Sequence, residues 1–88
     1  MSEFMVISPH TKDECLSMLD SIAEKGNNAL GKWEFGCMAG DHTGYELTKA
    51  NSGTDALREV PDLVRSKARA VEVKSFTKEQ IKSLHSHN

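Results

Sequence analysis

Apolar and polar residues alternate most regularly between Gly31 and Ala50, where Trp33, Phe35, Cys37 and Ala39 fall at every second position and a further alternating run follows Gly40-Asp41. Successive side chains of a strand point to opposite faces, so this spacing predicts two strands folded about a turn at Gly40-Asp41. With a two-residue turn, Ala39 faces His42 and Cys37 faces Gly44. His42 and Glu46 then join the face of Trp33 and Phe35, while Met38, Tyr45 and Leu47 share the other. One face thus collects Cys, His and Glu as well as aromatics.

The rest of the chain supplies the partners of this hairpin. Phe4–Ser8 reads as a first strand, stopped at Pro9, which has no N–H to donate to a ladder. Thr11-Lys12-Asp13-Glu14 has the hydroxyl and carboxylate spacing of a capping box and predicts a helix start. Cys15, Leu16, Met18, Leu19, Ile22 and Ala23 form its apolar stripe, and Gly26-Asn27-Asn28 ends it. Residues 28–30 are a connection. A turn and cap cluster at Asn51–Asp55 leads into a second helix marked by Ala56, Leu57, Val60, Leu63 and Val64, which Pro61 shortens or splits. Ala68–Phe76 predicts a last strand with Val71 and Val73 on one face and Glu72 and Lys74 on the other. Thr77-Lys78-Glu79-Gln80 is another capping box, opening a short terminal helix through Ile81 and Leu84.

The order βαββαβ plus a terminal helix is that of a ferredoxin-like α+β fold, a four-stranded antiparallel sheet with its helices on one face, spanning residues 1–88 as a single domain. Spatial order 4-1-3-2 places strands one and three side by side. The end of strand one, the start of the first helix and the hairpin turn then share an edge, which draws together His10, Cys15, Cys37, Asp41 and His42. The sheet face without helices is expected to carry Trp33 and Phe35, an apolar patch that a second copy would cover in a homodimer. Tyr45 is expected under the helices.

Composition narrows the function. The 88 residues are 38% hydrophobic and 27% charged, with net charge −2 and basic residues scattered along the chain. That balance offers no footprint for nucleic acid or an anionic membrane, and no apolar run reaches the roughly 20 residues of a membrane span. The start, Met-Ser-Glu-Phe-Met-Val, lacks the pattern of a secretory signal, so a cytoplasmic location and reduced cysteines are expected. There is no C-x-x-C pair, which excludes a thioredoxin-type motif and a four-Cys zinc module.

His10-x4-Cys15 and Cys37-x4-His42 are mirrored spacings that supply two imidazoles and two thiols. Their softness suits Zn, Ni, Cu or Fe. A set of His10, Cys37, His42 and Glu46 is an alternative, and each Cys also reads as a small buried hydrophobe. Cys37 with His42 could instead be a nucleophile and its base. Trp33, Phe35 and Glu46 are candidates for lining a small-ligand site, although aromatics at such spacing equally form core. Asp41 reads as a turn former. His85 and His87 lie near the chain end and receive no role.

Leu30-Gly31-Lys32-Trp33, followed by a Gly-rich hairpin and by Gly44-Tyr45 on the third strand, resembles the small stand-alone members of the dimeric α+β barrel superfamily, closest to uncharacterised families with a Leu-Gly-x-Trp-x-x motif. The resemblance implies two ferredoxin-like protomers packed sheet to sheet. Some relatives of this shape are similar to nickel-binding or haem-handling proteins, others to small cofactor-independent monooxygenases or isomerases. Other families of the same fold are not matched. Thr43-Gly44-Tyr45-Glu46-Leu47 lacks the full aromatic pattern of an RNA-recognition strand, and Ser8–Cys15 contains neither the C-x-x-C of soft-metal chaperones nor the arginine of acylphosphatases. Metal or small-ligand binding at the sheet edge, a small enzyme, and a structural or regulatory interaction domain are the three functions expected.

Overall fold

The first strand sits inside the sheet and sets the direction of everything else. A computed structural model, which describes residues 1–86, contains β1 (Ser2–Pro9), α1 (Lys12–Ala23), α2 (Asn27–Gly31), β2 (Trp33–Phe35), β3 (Thr43–Ala50), α3 (Gly53–Leu57), α4 (Asp62–Arg65), β4 (Arg69–Val73) and α5 (Lys78–Ser86). The strands form one antiparallel sheet in the order β2-β3-β1-β4, the expected order. Because β1 and β2 both run antiparallel to β3, they run parallel to each other, and their C-terminal ends emerge at one edge.

Along β1, Phe4, Val6 and Ser8 are buried while Glu3, Met5 and Ile7 face the other way. α1 begins as expected. The Thr11 hydroxyl accepts the Glu14 N–H at 3.2 Å, and a Glu14 carboxylate oxygen accepts the Thr11 N–H at 2.8 Å. Lys67 also donates to Glu14, and these donors hold its carboxyl down at about 2. Met18 and Ile22 carry the helix into the core, but Leu16 is 68% exposed. At 100° per residue Cys15, Met18, Leu19 and Ile22 lie within one narrow stripe, with Leu16 and Ala23 at its margin. Gly26, at φ 108°, ends the turn that follows. Beyond it the chain forms a further helical turn, α2, in place of an irregular connection.

β2 is shorter than expected and stops at Phe35. Cys37–Ala39 is a 3₁₀ turn, so Cys37 and Ala39 do not lie on a strand. Three bonds close the loop around Gly36. Its N–H donates to the Thr43 carbonyl at 3.1 Å, and its own carbonyl accepts from the N–H groups of Ala39 and Asp41 at 2.9 and 3.0 Å. A Cβ at Gly36 would sit 2.8 Å from the Asp41 carbonyl oxygen, so a side chain there would disrupt the turn. The register is Trp33↔Glu46, Glu34↔Tyr45 and Phe35↔Gly44, two residues away from that of a two-residue hairpin. An even shift leaves every side chain on its face.

The face itself is the main correction. Trp33 and Phe35 lie under α1 and not on the bare side: a Cβ added to Gly44 would meet Met18 Cε and Phe35 Cε1 at 3.0 Å and Trp33 Cε3 at 3.2 Å. Trp33 belongs to the core with Phe4, Val6, Met18, Ile22, Val60 and Val64. Period-two spacing tells which residues travel together but not which side the helices cover. The bare face instead carries Met5, Ile7, Tyr45, Leu47, Val71 and Val73, as the cross-strand register requires. Pro61 divides α3 from α4 as expected, and Ala56, Val60 and Val64 on either side of it are buried. The Thr77 and Gln80 capping box also forms. α5 buries none of its residues, and the described chain measures 49 × 28 × 24 Å. His87 lies outside the described residues.

Glu46 interrupts the core. It is 1% exposed, neither carboxylate oxygen has a hydrogen-bond partner among the described residues, and it pairs across the sheet with Trp33 and Val6. Burial, and then the charge of Glu59, push its carboxyl up to about 7 against the opposing pull of Lys32 and Lys25. A carboxyl with a raised folded-state pKa binds its proton more tightly folded than unfolded. Its stabilising share is therefore full below about pH 4.5 and is lost as pH rises towards 7. Glu46→Gln, measured with chelator present, is expected to be more stable than the parent at pH 8 by on the order of 3 kcal/mol and to show a flatter stability profile between pH 5 and 8. An unchanged slope in denaturant titrations would count against this account.

Candidate metal centre

Four separate chain segments meet at the edge where β1 and β2 end. His10 follows β1, and its backbone N–H donates to the His42 carbonyl at 3.0 Å, extending the β1–β3 pairing by one rung. Cys15 lies in the first turns of α1, where the cap at Thr11 fixes the helix origin. Cys37 opens the 3₁₀ turn, and His42 leads into β3. One ligand atom from each of His10, Cys15, Cys37 and His42 lies within 4.8 Å of all the others. The mirrored spacings thus converge, with Asp41 beside them.

The contacts inside the cluster define its donors. Cys15 Sγ donates to Cys37 Sγ at 2.8 Å, and His10 Nε2 stands 3.3 Å from Cys37 Sγ. His10 Nδ1 lies 3.2 Å from the Ser8 carbonyl. A carbonyl only accepts, so this contact puts the proton on Nδ1 and leaves the Nε2 lone pair aimed into the cluster, as in metal-bound histidines held by an outer carbonyl. The rings of His10 and His42 pack edge to face at 6.2 Å, with Phe35 at 6.5 Å from His10. Nδ1 of His42 is buried and has no hydrogen-bond partner among the described residues. A buried polar atom without a hydrogen bond is costly unless something else satisfies it.

Comparison with protein-family models, curated proteins and solved structures found no match.

Burial, followed by the Cys15 contact, pushes the Cys37 thiol up to about 11. Hydrogen bonds from the Thr43 and Tyr45 hydroxyls, both at 2.7 Å, hold the Asp41 carboxyl below its ordinary range, and Asp41 in turn raises Tyr45. Asp41 thereby ties the Cys37–His42 loop to β3. This network escaped the sequence reading, although Asp41, Thr43 and Tyr45 recur at every second position and the signal was present. The Gly36 fold-back and the Ser8 carbonyl left no such trace.

The other candidates sit elsewhere. Glu46 is in the core with no bond to the cluster, Trp33 stacks on Phe35 with ring centroids 6.0 Å apart, and no cavity opens beside them among the described residues. The imidazole within hydrogen-bond reach of Cys37 belongs to His10 and not to His42. With its pKa near 11, Cys37 in metal-free protein is expected to react with iodoacetamide at pH 8 on the order of a hundredfold more slowly than an ordinary exposed thiol. Peptide mass spectrometry over a time course measures this, and alkylation at the ordinary rate would refute it.

Proposed function

We propose that the chain is a small ferredoxin-like protein that binds one transition-metal ion, zinc before nickel, copper or iron, through His10, Cys15, Cys37 and His42. The observation that carries this reading is the convergence of two imidazole and two thiol donors, from four separate segments, within 4.8 Å of one another. A set of two sulfurs and two nitrogens suits zinc best, an ion usually held tetrahedrally by such donors. The partnerless Nδ1 of His42 and the Nδ1 proton of His10 directed at Ser8 support it. Four protein donors leave no open position for substrate, so the ion serves structure or storage. It would tie the end of β1, the start of α1 and the β2–β3 loop together in a domain whose single core is small. Among the described residues no chamber opens next to His42, which the enzyme reading would call for.

We also propose that two copies pack through the bare sheet face, as the resemblance to dimeric α+β barrels implies. The residues on that face support this even though Trp33 is not among them. Cross-strand pairing puts Glu34, Tyr45, Ile7 and Arg69 in one row, Leu47, Met5 and Val71 in the next, and Lys49, Glu3 and Val73 in the third. A two-fold axis along the strands, between β3 and β1, sets Glu34 over the partner's Arg69 and Lys49 over the partner's Glu3, with apolar residues between. Such a patch is self-complementary in charge, as an isologous interface must be. A cytoplasmic setting, where thiols stay reduced, suits the metal site.

Untagged protein stripped and reloaded with zinc is expected to retain a stoichiometric amount after gel filtration and to lose it in the Cys37→Ala, His42→Ala double variant. Elemental analysis decides this, and a parent protein that takes up no zinc while keeping its thermal stability rejects the site. In sedimentation experiments Glu34→Arg is expected to weaken self-association and the added Arg69→Glu change to restore it. Monomeric parent protein at high concentration rejects the dimer.

A further inference from the structure

The two sulfurs of the cluster stand at a separation that suits two different states. In a tetrahedral site with metal–sulfur bonds near 2.3 Å, the thiolates lie about 3.8 Å apart, whereas a disulfide brings them to about 2.05 Å. Cys15 Sγ and Cys37 Sγ are 2.8 Å apart, between these limits, so either state is reached by a movement of about 1 Å at each extreme. Both residues are half-buried, within reach of small oxidants, and both are free.

Their supports differ in stiffness. Cys15 is held by α1 and the Thr11 cap. Cys37 is carried by a 3₁₀ turn between two glycines, Gly36 and Gly40, the latter at φ 91°. Inside the turn the Ala39 N–H donates to the Gly36 carbonyl and the Gly40 N–H to the Cys37 carbonyl, while the Gly36 and Thr43 bond and the Asp41 ties anchor its two ends, so closing on Cys15 asks only for a local adjustment between Gly36 and Gly40.

We propose that Cys15 and Cys37 form a reversible disulfide in response to a hydroperoxide, and that this oxidation empties the metal site. One thiolate attacks the peroxide oxygen, the O–O bond breaks, and a sulfenic acid forms with loss of water or alcohol after protonation of the leaving oxygen. The second thiolate attacks the sulfenic sulfur, an S–S bond forms, and the S–O bond breaks to release a second water on protonation. Two electrons pass from the sulfurs to the peroxide. Both thiolate donors are consumed, His10 and His42 alone remain, and the divalent ion leaves to solvent or an acceptor. A dithiol reductant returns both thiols. The release step rests on the metal reading, but the disulfide step does not.

The test uses the full chain with hydrogen peroxide in two arms, metal-free and zinc-loaded, followed by thiol alkylation, intact and peptide mass spectrometry, and a chromogenic zinc chelator. In both arms an intrachain Cys15–Cys37 disulfide is expected, reversed by dithiothreitol. In the loaded arm zinc should appear in step with it, its affinity falling by at least about a hundredfold, more than the loss of an outer-shell contact costs. Cys15→Ser should form no intrachain link. Metal-free parent protein that keeps both thiols, overoxidises them separately or links only between chains overturns the proposal. So does a disulfide that leaves zinc bound. If zinc never binds, the metal reading fails by itself, and the metal-free arm still decides the thiol pair.

Discussion

The pairing of β1 with β3 is the constraint on which the rest depends. β1 is hydrogen-bonded on both sides, to β3 and to β4, and its register runs from Ser2↔Ala50 to Pro9↔Thr43. The same ladder continues one step further through the His10 N–H and the His42 carbonyl. Slipping it by one residue would turn Phe4, Val6 and Ser8 out of the core and separate the two imidazoles. Core and cluster are thus specified by one register. The apolar face that holds β1 beneath the helices also decides which donors can meet.

Much of this was legible in the sequence because the signals were local. The capping boxes at Thr11 and Thr77, the break at Pro61 and the strand order followed from short motifs and element lengths, and the same order brought His10, Cys15, Cys37 and His42 to one edge. What could not be read depended on contacts across the sheet. Alternation from Trp33 to Ala39 looks like a continuous strand, yet the Gly36 fold-back ends it at Phe35. α2 carries no cap side chain and was therefore silent. Which face the helices cover rests on how α1 crosses, for which Gly44 is the trace: it is the one place where Met18, Phe35 and Trp33 leave no room for a Cβ to fit freely.

Glu46 shows the cost of this packing. A glutamate on a buried strand face breaks the apolar pattern, and its neighbours Lys32 and Glu59 pair with each other at 3.7 Å and leave it without a bond. Local rules and global fold disagree here, as they do most often where a residue is kept for something other than stability. The disagreement lies four rungs from His42 along β3, on the far side of Gly44, and not within the cluster.

β2 ends the sheet on one side with three residues, and its outward member is Glu34. An open edge normally offers a row of unpaired amides and carbonyls on which a foreign strand can grow. Three residues are too few to template such growth, and a charged side chain opposes it. The early stop that frees Cys37 for the cluster therefore also makes the β2 margin a poor template for fibrous growth.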